Sequence, residues 1–317
     1  MKTRELKAKS IGDLLYSKLM EKSLNGEIHS IFSSVINVKF EEELYTIGKS
    51  QIGNGPLTVL LPVMGENLNK WGLAPGDPVF ANRMEINLNN FLRIDLKDAQ
   101  IWSSKWQNRP NFNKNFQLLS RARAMILREG NLNGLGGLLE DQFQFTSDTF
   151  IEYNQKILIK MAIPSLNKIK EGLLKRSEIF WNGVRELVGL GPGLTPASDD
   201  LLVGFLLTFR YLESAGLYKL PDFNLATFSK WVKSKTNLIS AMGLILAFEG
   251  RPLEFIRDAI QNLFNGEKIK TILSILRLID RGSTSGTDIL TGIILAGEVF
   301  QQIYKTQCYN TAELKEE

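Results

Sequence analysis

The sequence predicts an α+β protein: an N-terminal antiparallel β barrel or sandwich-like domain, then a larger all-helical domain. Three observations carry this. Short runs rich in Ile, Val and Phe recur between residues 28 and 96, separated by Gly/Asn/Pro clusters. From about residue 112 the apolar residues recur three and four apart. The length of 317 residues exceeds what one compact unit usually holds. The expected division is an amphipathic helix over 1–24, a small β domain over 25–110, a helical domain over 111–305 and a frayed tail over 306–317.

Residues 5–23 set Leu6, Ile11, Leu14, Leu15 and Leu19 on one stripe, which predicts a leading helix. Ile28–Phe40 nearly alternates, as a half-buried strand does. Further strands are predicted over Leu44–Ile47, Thr58–Val63, Pro78–Ala81, Glu85–Leu88 and Leu92–Leu96. Gln51–Pro56 reads as a hairpin loop in preference to a mobile ligand-facing loop, and Leu73–Asp77 as a turn feeding an edge strand. Gln107–Lys114 reads as the linker. Helices are predicted over Phe116–Arg128, Asp148–Met161, Ser165–Leu187, Pro196–Leu212, Phe228–Phe248, Leu253–Phe264, Lys268–Ile279 and Thr287–Tyr304. Pro164, Pro196, Pro221 and Pro252 fall at their boundaries.

Composition narrows the function. Apolar residues make up 44% and charged residues 23%, so the chain is no disordered polymer. One cysteine, Cys308, gives no intramolecular disulfide. One histidine, His29, removes multi-histidine metal sites and makes Ser–His or Cys–His catalysis a poor fit. The net charge of +4 is spread evenly, so neither part reads as a nucleic-acid module. The longest apolar run, Met242–Phe248, is far short of the roughly 18 residues a membrane span needs. The N-terminus is charged and lacks a signal-peptide centre. A soluble cytoplasmic protein is expected, with no nucleic-acid or membrane partner.

The specific signal is Gly189–Leu207, GLGPGLTPASDDLLVGFLL. Thr195 suits a helix N-cap and Pro196 the first helical position. Ser198, Asp199 and Asp200 fall in the first turn. A second stretch, Gly282–Gly297, repeats the pattern as GSTSGTDILTGIILAG. Aligning Asp200 with Asp288 brings Gly204 onto Gly292 and Thr195 onto Ser283. Glycine four residues after each aspartate permits close helix approach, and two such N-termini facing one cleft suit an anion. Helix ends supply free N–H groups and a positive dipole. Glycines let the backbone wrap a phosphate or carboxylate. The candidate anion-binding set is therefore Gly191, Gly193, Thr195, Ser198, Ser283, Thr284, Ser285 and Gly286. The candidate catalytic set is Asp199, Asp200 and Asp288. These acids can accept hydrogen bonds from an amide or amine, hold Mg²⁺, or act as a base. An aspartate in a first turn also stabilises the helix dipole by roughly 0.3–1 kcal/mol with no ligand at all. No cofactor is expected, Mg²⁺ being the one the adjacent acids leave open.

Other stretches are set aside. Gly48-Lys49-Ser50 lacks the earlier glycine of a phosphate loop, Glu43 standing in its place. Gly189, Gly191 and Gly193 do not make the dinucleotide fingerprint, since Leu194 replaces the third glycine. His29 reads as a strand-surface residue. Trp102 and Trp106, beside Lys105 and Arg109, read as packing rather than base stacking. Lys233 and Lys235 read as a solvated helix face.

The two segments, Gly191–Asp200 (GPGLTPASDD) and Gly282–Gly292 (GSTSGTDILTG), resemble the motifs of the AllH-like oxamate carbamoyltransferase subunit family. Thr236–Ser240 and Gly53-Asn54-Gly55-Pro56 also look similar, and the likeness runs over residues 27–300. Ala197 stands where the family usually has Ser, and Ser283 where it has His, so a histidine-dependent role there is lost. The resemblance implies interconversion of oxamate plus carbamoyl phosphate with oxalurate plus phosphate, in purine and allantoin catabolism. It implies a hetero-oligomer with an FdrA-like subunit and a third subunit, and activity only with those partners. The Ser-Thr-Arg-Thr phosphate motif of ornithine and aspartate carbamoyltransferases is absent. Two further classes remain open: a non-catalytic anion-binding or scaffold subunit, and an Mg²⁺-dependent hydrolase using Asp199 and Asp200.

Overall fold

The computed structural model describes residues 4–107, 116–140 and 153–313. Most of the linker reading, the start of the helix expected from Asp148, Arg109 and the tail from 314 onward lie outside these residues, as does the side chain of Cys308. The chain divides into two compact units. The first takes residues up to Lys105 together with Arg251–Phe255. The second takes Trp106–Gly250 and the chain from Ile256 onward. The α+β reading holds: among the described residues, strands are confined to the first unit, and every α-helix but one lies in or largely in the second.

The first unit carries one ten-stranded sheet. Its strands are β1 (Arg4–Lys7), β2 (Ser10–Gly12), β3 (Leu24–Ile31), β4 (Val35–Phe40), β5 (Glu43–Lys49), β6 (Thr58–Leu61), β7 (Pro78–Ala81), β8 (Glu85–Leu88), β9 (Leu92–Asp95) and β10 (Gln100–Trp102). Their order is β1-β9-β8-β7-β3-β4-β5-β6-β2-β10. β1 and β2 are two halves of one bent chain, as are β9 and β10, and these halves occupy both ends of that order. The Ala8 N–H donates to the Asp95 carbonyl, and the Gln100 N–H to the Lys9 carbonyl, across the bend. The sheet therefore curls into a half-barrel, with β1 and β10 as its end strands. Alternate residues fill its interior, among them Ile28, Ile36, Val38, Val59, Val79, Ile86 and Ile94, all nearly or fully buried.

Four readings of this unit are corrected. Residues 5–23 are not one helix: only Asp13–Glu21 (α1) is helical, and the residues before it pair as β1 and β2. Three- and four-residue strands are too short to show a period of two against a leucine stripe. Ile28–Phe40 is a hairpin, β3 turning into β4. Gln51–Pro56 is not a hairpin loop, because β5 and β6 pair in parallel, as do β1 with β9 and β2 with β10. β7 is no edge strand, since it pairs with β3 and β8. Lys49 and Ser50, the false phosphate loop, are spent on the Glu66 and Leu61 carbonyls. His29 does lie exposed on a strand.

Arg251–Phe255 belongs to this unit through polar pins. Glu254 accepts from the Asn54 N–H and Nδ2 at 2.8 and 3.0 Å, and its own N–H donates to the Asn54 carbonyl. Arg251 lies 3.6 Å from the Asp13 carboxylate, which also accepts from the Ser104 N–H and hydroxyl.

The second unit is helical: α2 (Phe116–Glu129), α3 (Tyr153–Lys175), α4 (Ile179–Leu187), α5 (Ala197–Ser214), α6 (Leu225–Lys235), α7 (Leu238–Phe248), most of α8 (Glu254–Asn265), α9 (Lys268–Ile279) and α10 (Ser285–Glu313). The helix expected over Ser165–Leu187 breaks after Lys175, and Pro164 sits inside α3 rather than at a boundary. Phe228–Phe248 is two helices, divided where Asn237 caps α7 by accepting from the Ile239 and Ser240 N–H groups. Trp181, Phe228 and Phe248 form an aromatic cluster, with the Trp181 indole N–H on the Pro221 carbonyl. Trp106 packs on Tyr211 within this unit. Among the described residues no helix is long and apolar enough to cross a membrane.

Candidate functional site

The two repeated segments meet because α5 and α10 cross backbone on backbone. A β-carbon on Gly204 would stand 2.0 Å from the Ile289 carbonyl oxygen. One on Gly292 would stand 1.9 Å from the Leu201 carbonyl oxygen. Each glycine lies four residues after its aspartate, and each carbonyl one residue after. The contact is thus reciprocal and obeys the alignment of Asp200 with Asp288. Both helices also begin three residues before their aspartate, at Ala197 and Ser285. Thr195 is not the N-cap: Pro196 holds that position, with no side-chain cap bond. The Thr195 hydroxyl instead donates to Asp200 Oδ2 at 2.9 Å and lies 3.0 Å from the Ser285 hydroxyl. Gly191 and Gly193 take φ of 120° and 105°, which lets the loop turn back before the helix.

The three aspartates have different surroundings. Asp199 is buried and spent on structure: Oδ1 accepts from the Gly189 N–H at 2.7 Å and Oδ2 from the Thr236 hydroxyl at 2.5 Å. Burial pushes its carboxyl up, while Thr236, the Gly189 N–H and Ser240 pull it back. Asp200 is half-buried where hydroxyls of both segments, Ser285 and Thr195, converge. Burial dominates there and raises it to about 6. Asp288 is fully buried, and its Oδ1 accepts from the Leu135 N–H at 2.6 Å. Its Oδ2 is buried with no partner in hydrogen-bonding geometry among the described residues. Burial raises it to about 7, opposed by the Leu135 N–H and the Thr284 hydroxyl and reinforced by the charge of Asp200.

The remaining expected residues divide the same way. Ser198 is buried, donating to the Leu187 carbonyl and accepting from the Leu190 N–H. Gly286 is buried against the Leu278 carbonyl, where a β-carbon would stand 1.8 Å away, and its N–H serves the Arg281 carbonyl. Gly193 and Ser283 are exposed; Gly191, Thr195, Thr284 and Ser285 are half-buried. Several amides at the two helix starts are also used internally: Ser198 on Leu190, Asp199 and Asp200 on Pro196, Asp288 on Thr284. The structure thus brings Thr195, Asp200 and Ser285 together, with Asp288 behind them, and turns Ser198, Asp199 and Gly286 into the fold.

One contributor escapes the sequence reading. The segment Gly130–Leu139, GNLNGLGGLL, lies on the second motif. The Asn131 N–H donates to the Thr287 hydroxyl and its Nδ2 to the Ser283 carbonyl. Gly134 presses so close to Asp288 that a β-carbon would sit 2.4 Å from both carboxylate oxygens. Thr287 and Asp199 occupy matching places in the repeat, and each accepts a backbone N–H from a preceding glycine-rich stretch. Four glycines in eight residues were the available signal. Asn237 likewise braces the first loop through the Leu194 carbonyl. A cleft of about 190 Å³ lined by Leu166, Ile169, Phe205, Leu295 and Val299 lies in the same unit; it takes Phe205 and Leu295 from the apolar ends of the two segments but none of the candidate catalytic or anion-binding residues.

The donor set does not fit Mg²⁺ held by the adjacent acids. Neighbouring helical residues point about 100° apart, and both Asp199 oxygens already take protein donors. Among the described residues no three His, Cys, Asp or Glu side chains cluster as a metal site.

Two predictions arise here. Asp199→Ala leaves the Gly189 N–H and Thr236 hydroxyl without an acceptor, so thermal melting is expected to show a loss of about 1–3 kcal/mol. Asp288 gives a pH signature. Its folded carboxyl, at about 7, keeps a proton that the unfolded chain, near the ordinary 3.8, gives up. Stability from this group is full below about pH 4 and is lost as pH rises through about 7. The melting temperature is expected to fall over that interval, and Asp288→Asn to flatten this part of the fall.

The fold and its paired helix starts define a two-unit protein whose helical unit is organised around a duplicated Gly/Ser/Thr–Asp segment. The chain belongs to the AllH family. The model described as oxamate carbamoyltransferase subunit AllH matches residues 187–297, spanning both segments, and the AllH family N-terminal domain matches residues 7–101. No solved structure matches the chain.

Proposed function

We propose that this chain is the subunit of a carbamoyltransferase complex that interconverts oxamate plus carbamoyl phosphate with oxalurate plus phosphate. Family membership supports the reaction class, and the observation that carries the site is the convergence of Thr195, Ser285 and Asp200 from two repeated segments. In the catabolic direction a phosphate oxygen attacks the carbamoyl carbon of oxalurate. The bond from that carbon to the oxamate nitrogen breaks, and the leaving amide nitrogen must gain a proton. A carboxyl near pH 6 both carries a proton and releases it close to neutrality. Asp200 is the group we assign to that nitrogen, with Thr195 and Ser285 orienting it. Asp288 stands behind it as a neutral acid whose protonation spares Asp200 a second negative charge. Gly191, Gly193, Ser283 and Thr284 offer the half-buried and exposed backbone for the anionic groups. No cofactor is required by this scheme. The FdrA-like subunit and a third subunit complete the complex, in the cytoplasm, as part of allantoin degradation.

A second reading, a non-catalytic anion-binding or scaffold subunit, is favoured by the number of motif groups consumed inside the fold, Ser198, Asp199 and Gly286 among them. One assay separates the two. The chain, alone and with its two partner subunits, is mixed with oxalurate and phosphate, and oxamate and carbamoyl phosphate are followed. Product from the complex that disappears with Asp200→Asn supports the transferase site here. Undiminished product with that variant moves the chemistry to a partner.

A further inference from the structure

α9 wears its apolar face outward. Its sequence is KIKTILSILRLI. Thr271, Ser274, Ile275 and Leu278 are buried in the unit. Ile269, Ile272, Leu273 and Leu276 face solvent, exposed by 74%, 44%, 61% and 40%. These four stand at i, i+3, i+4 and i+7, one continuous stripe on an α-helix. The fold thus buries two hydroxyl residues of this helix and leaves four large aliphatic ones between 40% and 74% exposed. Packing among the described residues does not explain that choice, and an exposed apolar stripe with a polar margin marks an interaction surface.

The margin is basic. Lys270 and Arg277 flank the stripe on one side and Lys268 on the other, and α9 contains no acidic residue. Among the described residues, Lys270 and Arg277 have loose carboxylate neighbours, Glu267 at 3.6 Å and Asp258 at 3.8 Å. Two copies of this face would bring like charges together, which opposes self-pairing. The stripe carries no Trp, Phe or Tyr, the residues that anchor at a membrane–water interface.

We propose that the α9 stripe docks a different protein subunit of the same complex, one presenting an apolar groove rimmed by carboxylates. This rests on the reading of the chain as one subunit of an assembly. The groove would take Ile269, Ile272, Leu273 and Leu276 as anchors at helical spacing. The position also ties docking to the site. The Leu278 carbonyl, at the far end of α9, lies against Gly286 of the second motif. A partner seated on α9 therefore bears on the loop that carries Ser283, Thr284 and Ser285.

The test compares the wild-type chain, an Ile269→Asp/Leu273→Asp variant and Leu273→Met. Each is co-expressed with the two further subunits, and the eluting complexes are weighed by light scattering. The expected result is a stable complex for wild type and Leu273→Met, and association weakened at least about tenfold in the double variant. The double variant alone should melt as wild type does, because both positions are exposed. Lys268→Glu/Lys270→Glu should weaken the complex and reduce its salt sensitivity. A double variant that assembles normally overturns the docking face while leaving the subunit reading intact. A wild-type chain that assembles with neither subunit overturns both. Loss of self-association, or of binding to phosphatidylglycerol vesicles, in place of subunit binding reassigns the stripe to a second copy or to lipid and overturns the proposal.

Discussion

Asp200→Asn is expected to slow phosphorolysis of oxalurate by the assembled complex about a hundredfold or more, the usual scale for losing a proton-transferring group. The amide keeps an oxygen for Thr195 but cannot shuttle a proton, so the melting temperature should move by only a few degrees. The other two aspartates serve as internal controls. Asp288→Asn copies the protonated carboxylic acid in shape and can still accept from the Leu135 N–H. It should retain far more activity than Asp200→Asn. Asp199→Asn disturbs a carboxylate spent on Gly189 and Thr236, so its effect should fall on stability. Equal turnover losses at all three positions would dissolve the distinction between them. Full turnover in Asp200→Asn would remove the assigned proton donor.

The largest structural effect is expected at the helix crossing. Gly292→Ala places a methyl group 1.9 Å from the Leu201 carbonyl oxygen, and backbone cannot rotate away as a side chain would. Overpacking of a core by one methylene costs typically 1–3 kcal/mol. Here the helices themselves must separate, so about 3 kcal/mol or more is expected by chemical denaturation. Gly204→Ala meets the Ile289 carbonyl in the same way. The double variant should cost clearly less than the two single losses together, because one separation of α5 from α10 relieves both clashes. Strict additivity would mean that the two contacts are independent and that the reciprocal crossing is not a single mechanical element.

The sequence displayed the centre of this arrangement because it is local and written twice. Asp200 with Gly204, and Asp288 with Gly292, keep one spacing, and the close approach needs only the missing side chains of those two glycines. What distinguishes Asp199 from Asp200 was not visible. Adjacent acids look alike until the fold sends one toward Gly189 and Thr236 and the other toward Thr195 and Ser285. The Asn131–Leu135 segment was hidden because its Asn/Gly texture matches any surface loop. The β unit was legible as strands but not as an order of strands. β1 pairs with β9 and β2 with β10, and no local pattern in Arg4–Gly12 announces partners that distant. The stripe of leucines there fits a helix as well as two short strands, and pairing decides between them. Pro164 shows the same priority of packing over propensity, since α3 continues past it.

The pin between Asn54 and Glu254 spans 200 residues of chain. On a ribosome adding about 5–20 residues per second, the two ends of that pin are made on the order of ten to forty seconds apart. The strands through Trp102 can pair long before Glu254 exists. The β unit is therefore built in two stages separated by the synthesis of much of the helical unit. During that interval the Asn54 loop and the Asp13 carboxylate lack their Glu254 and Arg251 partners. Cutting the gene after Lys105 would make that interval permanent.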